Sequence, residues 1–551
     1  MKTQEILGIE VKESAASRNL TYTQFTDELL KYDKLAILQA ASSILWQIWR
    51  KPNAPPGREN DYELCRTYAS RIAVIKAASG KSSSSPRPIS EPEFIKLVHE
   101  YLGIHEPLTD HSFFKSHEGP EFLNALQAHE AFKNFVPPVD VLHGYTSRLT
   151  ILRTLRSQWD YRSASPTGIF RSWEIVSRLN KQHHGQIFDR LKATLNIDPK
   201  DYVRAGMVLL SSGNMYNHLG LMIPQELVLS KDVADTLNLD AEAVHFVASR
   251  LAQRCDDLEQ WHQSEVNALP EQYRKYAPHP LVARPLIQID SSLGNWSGKG
   301  TGYLCPSPAH LVWRMQSACI DAIRLLPKST PSENLMSDLG ACLSSYLHEF
   351  LSTTLTSSRV VNLDSIGDQQ EKHADFLIIA GDLALIIESK TSLGPTSAKS
   401  TISPTDTVNV WGRMLRAYQQ CAHTIKSGVW STLSSTSVKR FASIVCFDEN
   451  MCPEGAVFND FGTNSGLFAS LSLGPTEAVS MQELEDLLGT FGAEKLGELI
   501  ISKWAQGKQG DMLRAFANSS KQALEIDSPS LHLRNAENEI FPGYKPQLRK
   551  D

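Results

Sequence analysis

Residues 373 to 390, HADFLIIAGDLALIIESK, place two apolar runs on either side of Gly381-Asp382. A Gly-Asp pair in that setting predicts a tight β-hairpin with a two-residue loop. With those two residues as the loop, Ala380 pairs with Leu383. Extending the ladder outward sets Asp375 opposite Glu388 and His373 opposite Lys390. Side chains alternate faces along a strand, so Lys390 shares a face with Glu388. Two carboxylates and one ammonium therefore converge on one patch of an otherwise apolar hairpin. Like charges directly across a ladder destabilise it, so the pattern calls for a cation between the acids.

A hard divalent cation suits that position. It takes oxygen ligands, and Mg²⁺ commonly uses one or two carboxylates and keeps several waters. Asp375 and Glu388 supply the carboxylates, and the backbone carbonyl beside Glu388, at Ser389, is a candidate third oxygen. Lys390 would orient a nucleophile, assist its deprotonation or stabilise developing negative charge. His373 is a polar neighbour, and nothing in the pattern makes it a ligand. The competing reading is a salt bridge between Asp375 and Lys390 at the sheet edge, with Glu388 solvated.

Asp375 followed by Glu388-Ser389-Lys390 at the end of an apolar strand resembles the PD-(D/E)xK signature of restriction-endonuclease-like nucleases. Ala374 stands where a proline is expected, at a position that varies widely in that superfamily. The resemblance spans residues 330 to 490. It implies a central mixed β-sheet flanked by helices, and hydrolysis of a phosphodiester with Mg²⁺ or Mn²⁺, usually in DNA and leaving a 5′-phosphate. Members often carry an acid on a helix before the core strands. Glu349 is the candidate, although the register set by Gly340 places Ser344 where many relatives have the acid. Some members place a glutamine on the helix after the lysine, and Gln419 and Gln420 are both available. Arg413 and Arg416 on that helix either reach a phosphate or form a solvated face. A helical module joined to such a domain is a layout seen in bacterial restriction and phage-defence effectors. The expected function is thus a nuclease. The alternative is a catalytically silent nucleic-acid-binding or assembly subunit; under either reading the expected partners are nucleic acid, DNA first, and a second copy of the chain or a partner defence subunit.

The remaining sequence frames this site. The chain has 551 residues, 41% hydrophobic and 21% charged, with a net charge of −6. That composition suits a soluble protein of several domains and carries no global cationic signature for nucleic acid. Eight cysteines without a CxxC pair fit a reducing cytosol and match no common zinc pattern. No secretory signal or membrane-length apolar run is visible, so a cytoplasmic location is expected. Residues 1–77 read as helical, with Thr21 or Thr23 as the cap, and Gln24 three residues after Thr21 would suit a capping box. A Ser/Pro linker follows at 78–91, then a helical domain at 92–275 of unassigned role. A mixed α/β domain is expected at 280–505, including a capped helix after Ser480, and an extended tail at 525–551. The glycine-rich GNWSGKGTG has the wrong spacing for a phosphate loop, because three residues separate Gly294 from Gly298 and Gly300 replaces the required Ser or Thr. His183-His184 lacks a further ligand at metal spacing. The basic, aromatic run at 153–181 suits a solvated amphipathic helix pair better than a nucleic-acid groove.

Overall fold

The computed structural model describes residues 20–51, 53–79, 86–104, 119–138, 166–215, 221–224, 231–269, 271–290, 302–363, 373–391, 404–433, 438–448, 452–519 and 533–541. Contacts divide the chain into two units. Among the described residues, one holds those within 119–138 and 334–519, and the other those within 20–104, 166–333 and 533–541.

The first unit is built on a five-stranded sheet. Its described elements begin with α1 (Gly119–Ala128), α2 (Leu335–Thr354) and β1 (Arg359–Asn362). β2 (Phe376–Ala380), β3 (Leu383–Lys390) and α3 (Pro404–Lys426) follow. β4 (Arg440–Phe447), α4 (Pro453–Asn464), β5 (Thr476–Ser480) and α5 (Met481–Ala505) complete the core. Strands lie in the order β1-β2-β3-β4-β5. β1, β2 and β3 run antiparallel in turn, while β3-β4 and β4-β5 are parallel. Parallel neighbours need a crossover, and α3 and α4 lie on the two that join them.

The hairpin forms in the predicted register. Ala380 pairs with Leu383 and Phe376 with Ile387. Gly381 takes φ +62°, the positive φ that a type II′ turn needs at its first central residue. Asp382 then anchors β4, since its carboxylate accepts from Arg440 Nε at 2.9 Å and its carbonyl accepts from Lys439 N at 2.8 Å.

Alternation sorts the apolar residues into two buried faces. Leu377, Ile379, Ala384, Ile386, Val445 and Phe447 pack with Trp411 and Tyr418 of α3 and Phe458 and Phe461 of α4. On the opposite face Gly497 of α5 lies against Leu383, so close that a Cβ there would meet Leu383 Cδ2 at 2.6 Å. α2 joins that layer through a hydrogen bond from Tyr346 Oη to Glu485 at 2.5 Å. The unit is therefore mixed α/β, with helices on both sides of a mixed sheet. Ser480 caps α5 as its sequence predicts, accepting from Glu483 N at 3.1 Å. A buried pair, Glu477 and Lys503 at 2.7 Å, ties β5 to α5.

The second unit is largely helical. Its N-terminal part holds helices Tyr22–Leu29, Lys34–Arg50 and Glu59–Ala78, the first with the expected capping box. The β-like runs expected near 280 form strands Leu286–Ile289 and Gly302–Leu304. They pair with each other and with strands Leu221–Pro224 and Ala252–Gln253, in a separate four-stranded sheet. Residues 280–333 thus group with this unit, and the division falls at Asn334 instead of near 280. The expected extended tail is corrected in its described part, which is helical over Arg534–Ile540. Leu533, Ala536 and Ile540 recur at three and four spacing and are all buried, the stripe of a docked helix. Arg204 Nε donates to the Ile540 carbonyl at 2.8 Å and fixes its end. Among the described residues no helix is long and apolar enough to cross a membrane.

Candidate active site at the open end of the hairpin

The site forms where the β2-β3 ladder ends. Pairing stops at Phe376 and Ile387, whereas β3 continues against β4 through Lys390 and Phe447. The last residues of β3 therefore keep one edge hydrogen-bonded and present the other to the segment before β2. Asp375 occupies that segment. Its Oδ2 accepts from Ser389 N at 2.7 Å and from Ser389 Oγ at 2.5 Å. Within a strand residue the N–H and C=O point to the same edge. The Ser389 carbonyl therefore points to the Asp375 side, beyond the last pair of the ladder. The register sets Asp375 across from Glu388, and its carboxylate reaches one residue further, to Ser389.

Glu388 is only 1% exposed, the reverse of the solvated residue that the salt-bridge reading requires. Its Oε1 contacts the Lys390 ammonium. Its Oε2 is buried with no hydrogen-bond partner. A buried carboxylate oxygen without a donor is costly unless a cation supplies the missing interaction. Lys390 Nζ also donates to Gln420 Oε1 at 3.1 Å, which places Lys390 on the α3 face with Glu388 as alternation predicts. Gln420 Nε2 in turn donates to the His373 carbonyl at 3.5 Å, so Gln420 links Lys390 to the segment that carries Asp375.

This geometry separates the two helix glutamines. Gln420 meets Lys390, while Gln419 is exposed. Arg413 and Arg416 are also exposed, and Arg416 lies 3.6 Å from Glu130. Glu349 lies on a different face of α2 from the one that meets the strand end at Gly340. A Cβ on Gly340 would lie 3.7 Å from Thr391 Cγ2, one residue past β3. That fixes which face of α2 meets the strand end. Glu349 follows Gly340 by nine residues, about two and a half turns, and so stands on the opposite side of α2, exposed. Half-buried Ser344, one turn after Gly340, shares the facing side.

Ser389 was expected to offer its carbonyl, but its hold on Asp375 escapes a reading of motifs, and so does Thr424. Ser389 fills the variable position of the signature and holds Asp375 with both its N–H and its hydroxyl. Thr424 Oγ1 accepts from Ala374 N at 2.8 Å and donates to the Gln420 carbonyl at 2.9 Å. It lies one helical turn after Gln420, and that spacing is the signal that could have found it. The thiols nearby are buried and held in their neutral form. Burial above all, and then the charge of Asp375, pushes Cys421 up to about 12, with Lys390 opposing. Burial likewise holds Cys446 well above the usual thiol range.

Among the described residues no group of three or more His, Cys, Asp and Glu side chains is gathered as metal ligands. A cation here would rest on two carboxylates, one carbonyl and water, a set within the habits of Mg²⁺. The unpartnered Glu388 oxygen and the outward Ser389 carbonyl fit such an ion. The glycine-rich segment at 291–301 and the basic run up to residue 165 lie outside the described residues. His183-His184 sit in the turn between helices Pro166–Gln182 and Gln186–Leu195. Comparison with protein-family models, with curated proteins and with solved structures returned no match.

Proposed function

We propose that the first unit is a nuclease domain of the PD-(D/E)xK kind, hydrolysing phosphodiester bonds with Mg²⁺ or Mn²⁺, in DNA by preference. The observation that carries the reading is Glu388: a buried carboxylate with one oxygen on Lys390 and the other without a donor, beside Asp375 at a strand end. The mixed sheet with helices on both faces is compatible with a restriction-endonuclease-like fold. Asp375, Glu388 and the Ser389 carbonyl would hold the ion. When bound, it lowers the pKa of an attached water and neutralises phosphate charge.

The chain's own groups do the rest. Ser389 fixes the Asp375 carboxylate by two hydrogen bonds, so its orientation is set before substrate arrives. Gln420 and Glu388 hold the Lys390 ammonium on the same face. On leaving Glu388, Lys390 donates to a phosphate oxygen as negative charge develops, or in its neutral form takes a proton from the attacking water. Thr424 and Gln420 tie the Asp375 segment to α3, which keeps both edges of the site in register.

The test is direct. Purified protein is incubated with plasmid, single-stranded DNA and RNA, with and without Mg²⁺ or Mn²⁺, beside Lys390→Ala. Cation-dependent cleavage lost in the variant supports the reading. Cleavage that persists at the wild-type rate in Lys390→Ala, or no cleavage of any substrate with either ion, removes it. In the second case retained binding of nucleic acid would favour a silent binding subunit.

A further inference from the structure

We propose that Lys390 is an internal competitor for the cation site, with Gln420 holding it in the competing position. The inference rests on the metal-site reading above and goes beyond it. The Lys390 ammonium sits on Glu388 Oε1 while its hydrogen bond to Gln420 Oε1 at 3.1 Å keeps it there. Gln420 is itself tethered to the His373 carbonyl, so this latch belongs to the framework of the site and not to a loose surface chain. Glu388 is buried, and a buried carboxylate stripped of its counter-ion is strongly disfavoured. Lysine therefore neutralises Glu388 when no other cation does.

A dication at Glu388 Oε2 and an ammonium on Oε1 would share one carboxylate, and like charges that close repel, so each weakens the hold of the other. The cation-competent state is the fraction of molecules in which Lys390 has left Glu388. The apparent affinity for cation falls by that fraction. The same exchange orders assembly. Lys390 is released toward the substrate phosphate only when Glu388 has gained another positive partner. Lysine and ion thus arrive at their working positions together, and the site holds no idle activated group.

The experiment is calorimetric titration of Mn²⁺ into the full chain without nucleic acid, comparing wild type with Lys390→Met and Gln420→Ala. Loss of the competitor is expected to tighten Mn²⁺ binding by about tenfold in Lys390→Met, and loss of its latch by about threefold in Gln420→Ala. Gln420→Ala keeps every charge, so it tests the idea even if Lys390→Met folds poorly. Tighter binding in the variants supports the inference, including the case where wild type binds too weakly to measure. Wild type and both variants binding equally, or the variants binding more weakly, overturns it and leaves the metal-site reading in place. No binding in any of the three proteins overturns both.

Discussion

At the scale of residues, the site rests on differences between neighbours of the same type. Gln419 and Gln420 are adjacent, yet only Gln420 touches Lys390. Gln420→Ala is therefore expected to lower cleavage by about tenfold through a displaced lysine, while Gln419→Ala stays within about twofold of wild type. Steady-state kinetics on a plasmid substrate decides, and equal effects of the two changes would break the assignment. Glu388→Ala or Asp375→Ala should reduce cleavage by about a hundredfold or more, since each removes an oxygen ligand. Glu349→Ala should leave the rate unchanged, because that side chain stands across α2 from the strand end. The three central residues were legible because a two-residue turn fixes register and alternation fixes faces, both local rules. Glu349 was harder to place for a matching reason. The helix acid depends on how α2 is rotated against the sheet, and nothing in its own sequence states that rotation. Thr424, and the grip of Ser389 on Asp375 as distinct from its carbonyl, were missed because a contact to a backbone N–H and one made from the variable position of a signature leave no mark in a side-chain motif.

At the scale of elements, the hairpin must hold its turn for the site to exist. Gly381 has φ +62°, and a Cβ there would also approach Glu494 Oε1 at 3.0 Å. That carboxylate is the far end of a flexible side chain and can move aside, so the left-handed backbone conformation sets most of the cost. Gly381→Ala is expected to lose about 1–2 kcal/mol of stability, read from the urea midpoint of the full chain. An unchanged midpoint would show that the turn relaxes without penalty. The loop is also pinned by Arg440, whose guanidinium joins Asp382 and Glu498. Hydrogen bonding to Arg440 holds the Asp382 carboxyl below its ordinary value. A carboxyl depressed in the folded state adds stability above its unfolded pKa, and loses it as pH falls through the folded one. The contribution is thus whole at neutral pH and fades below about pH 4. It is small, because the Asp382 side chain is 41% exposed to screening solvent. The hairpin and the capped helices follow from sequence separations of a few residues. The placement of strands Leu286–Ile289 and Gly302–Leu304 in another sheet follows from pairing with residues far away, including Leu221–Pro224. Apolar pattern marks such segments as strands and is silent on which sheet they join.

At the scale of the molecule, the two units carry different buried chemistry, and pH should separate them. In the second unit the His279 ring is 3% exposed and lies 4.7 Å from the ring of His310. Burial holds its pKa well below the usual imidazole range, with the charges of Arg71 and His310 adding to the effect. Its ring nitrogens are both engaged, Nδ1 accepting from Leu281 N at 3.3 Å and Nε2 meeting Ser70 Oγ at 3.1 Å. An Nδ1 that accepts must be unprotonated, so Nε2 carries the hydrogen and donates to Ser70. A second proton would break the Leu281 bond and place a cation beside Arg71. In the unfolded chain the same ring titrates near pH 6.5. Its contribution is therefore complete above that pH and is lost as the unfolded state gains a proton below it, by about 1.4 kcal/mol per pH unit. Hydrogen exchange of the full chain, corrected for the intrinsic pH dependence, should show the loss in helix Glu59–Ala78, which carries Ser70 and Arg71. Protection there is expected to fall between about pH 6.5 and pH 5, while β3 changes less. His279→Gln should flatten that fall, because it removes the titrating ring and keeps a side chain able to donate to Ser70. The same slope in wild type and variant would assign the acid response to another group.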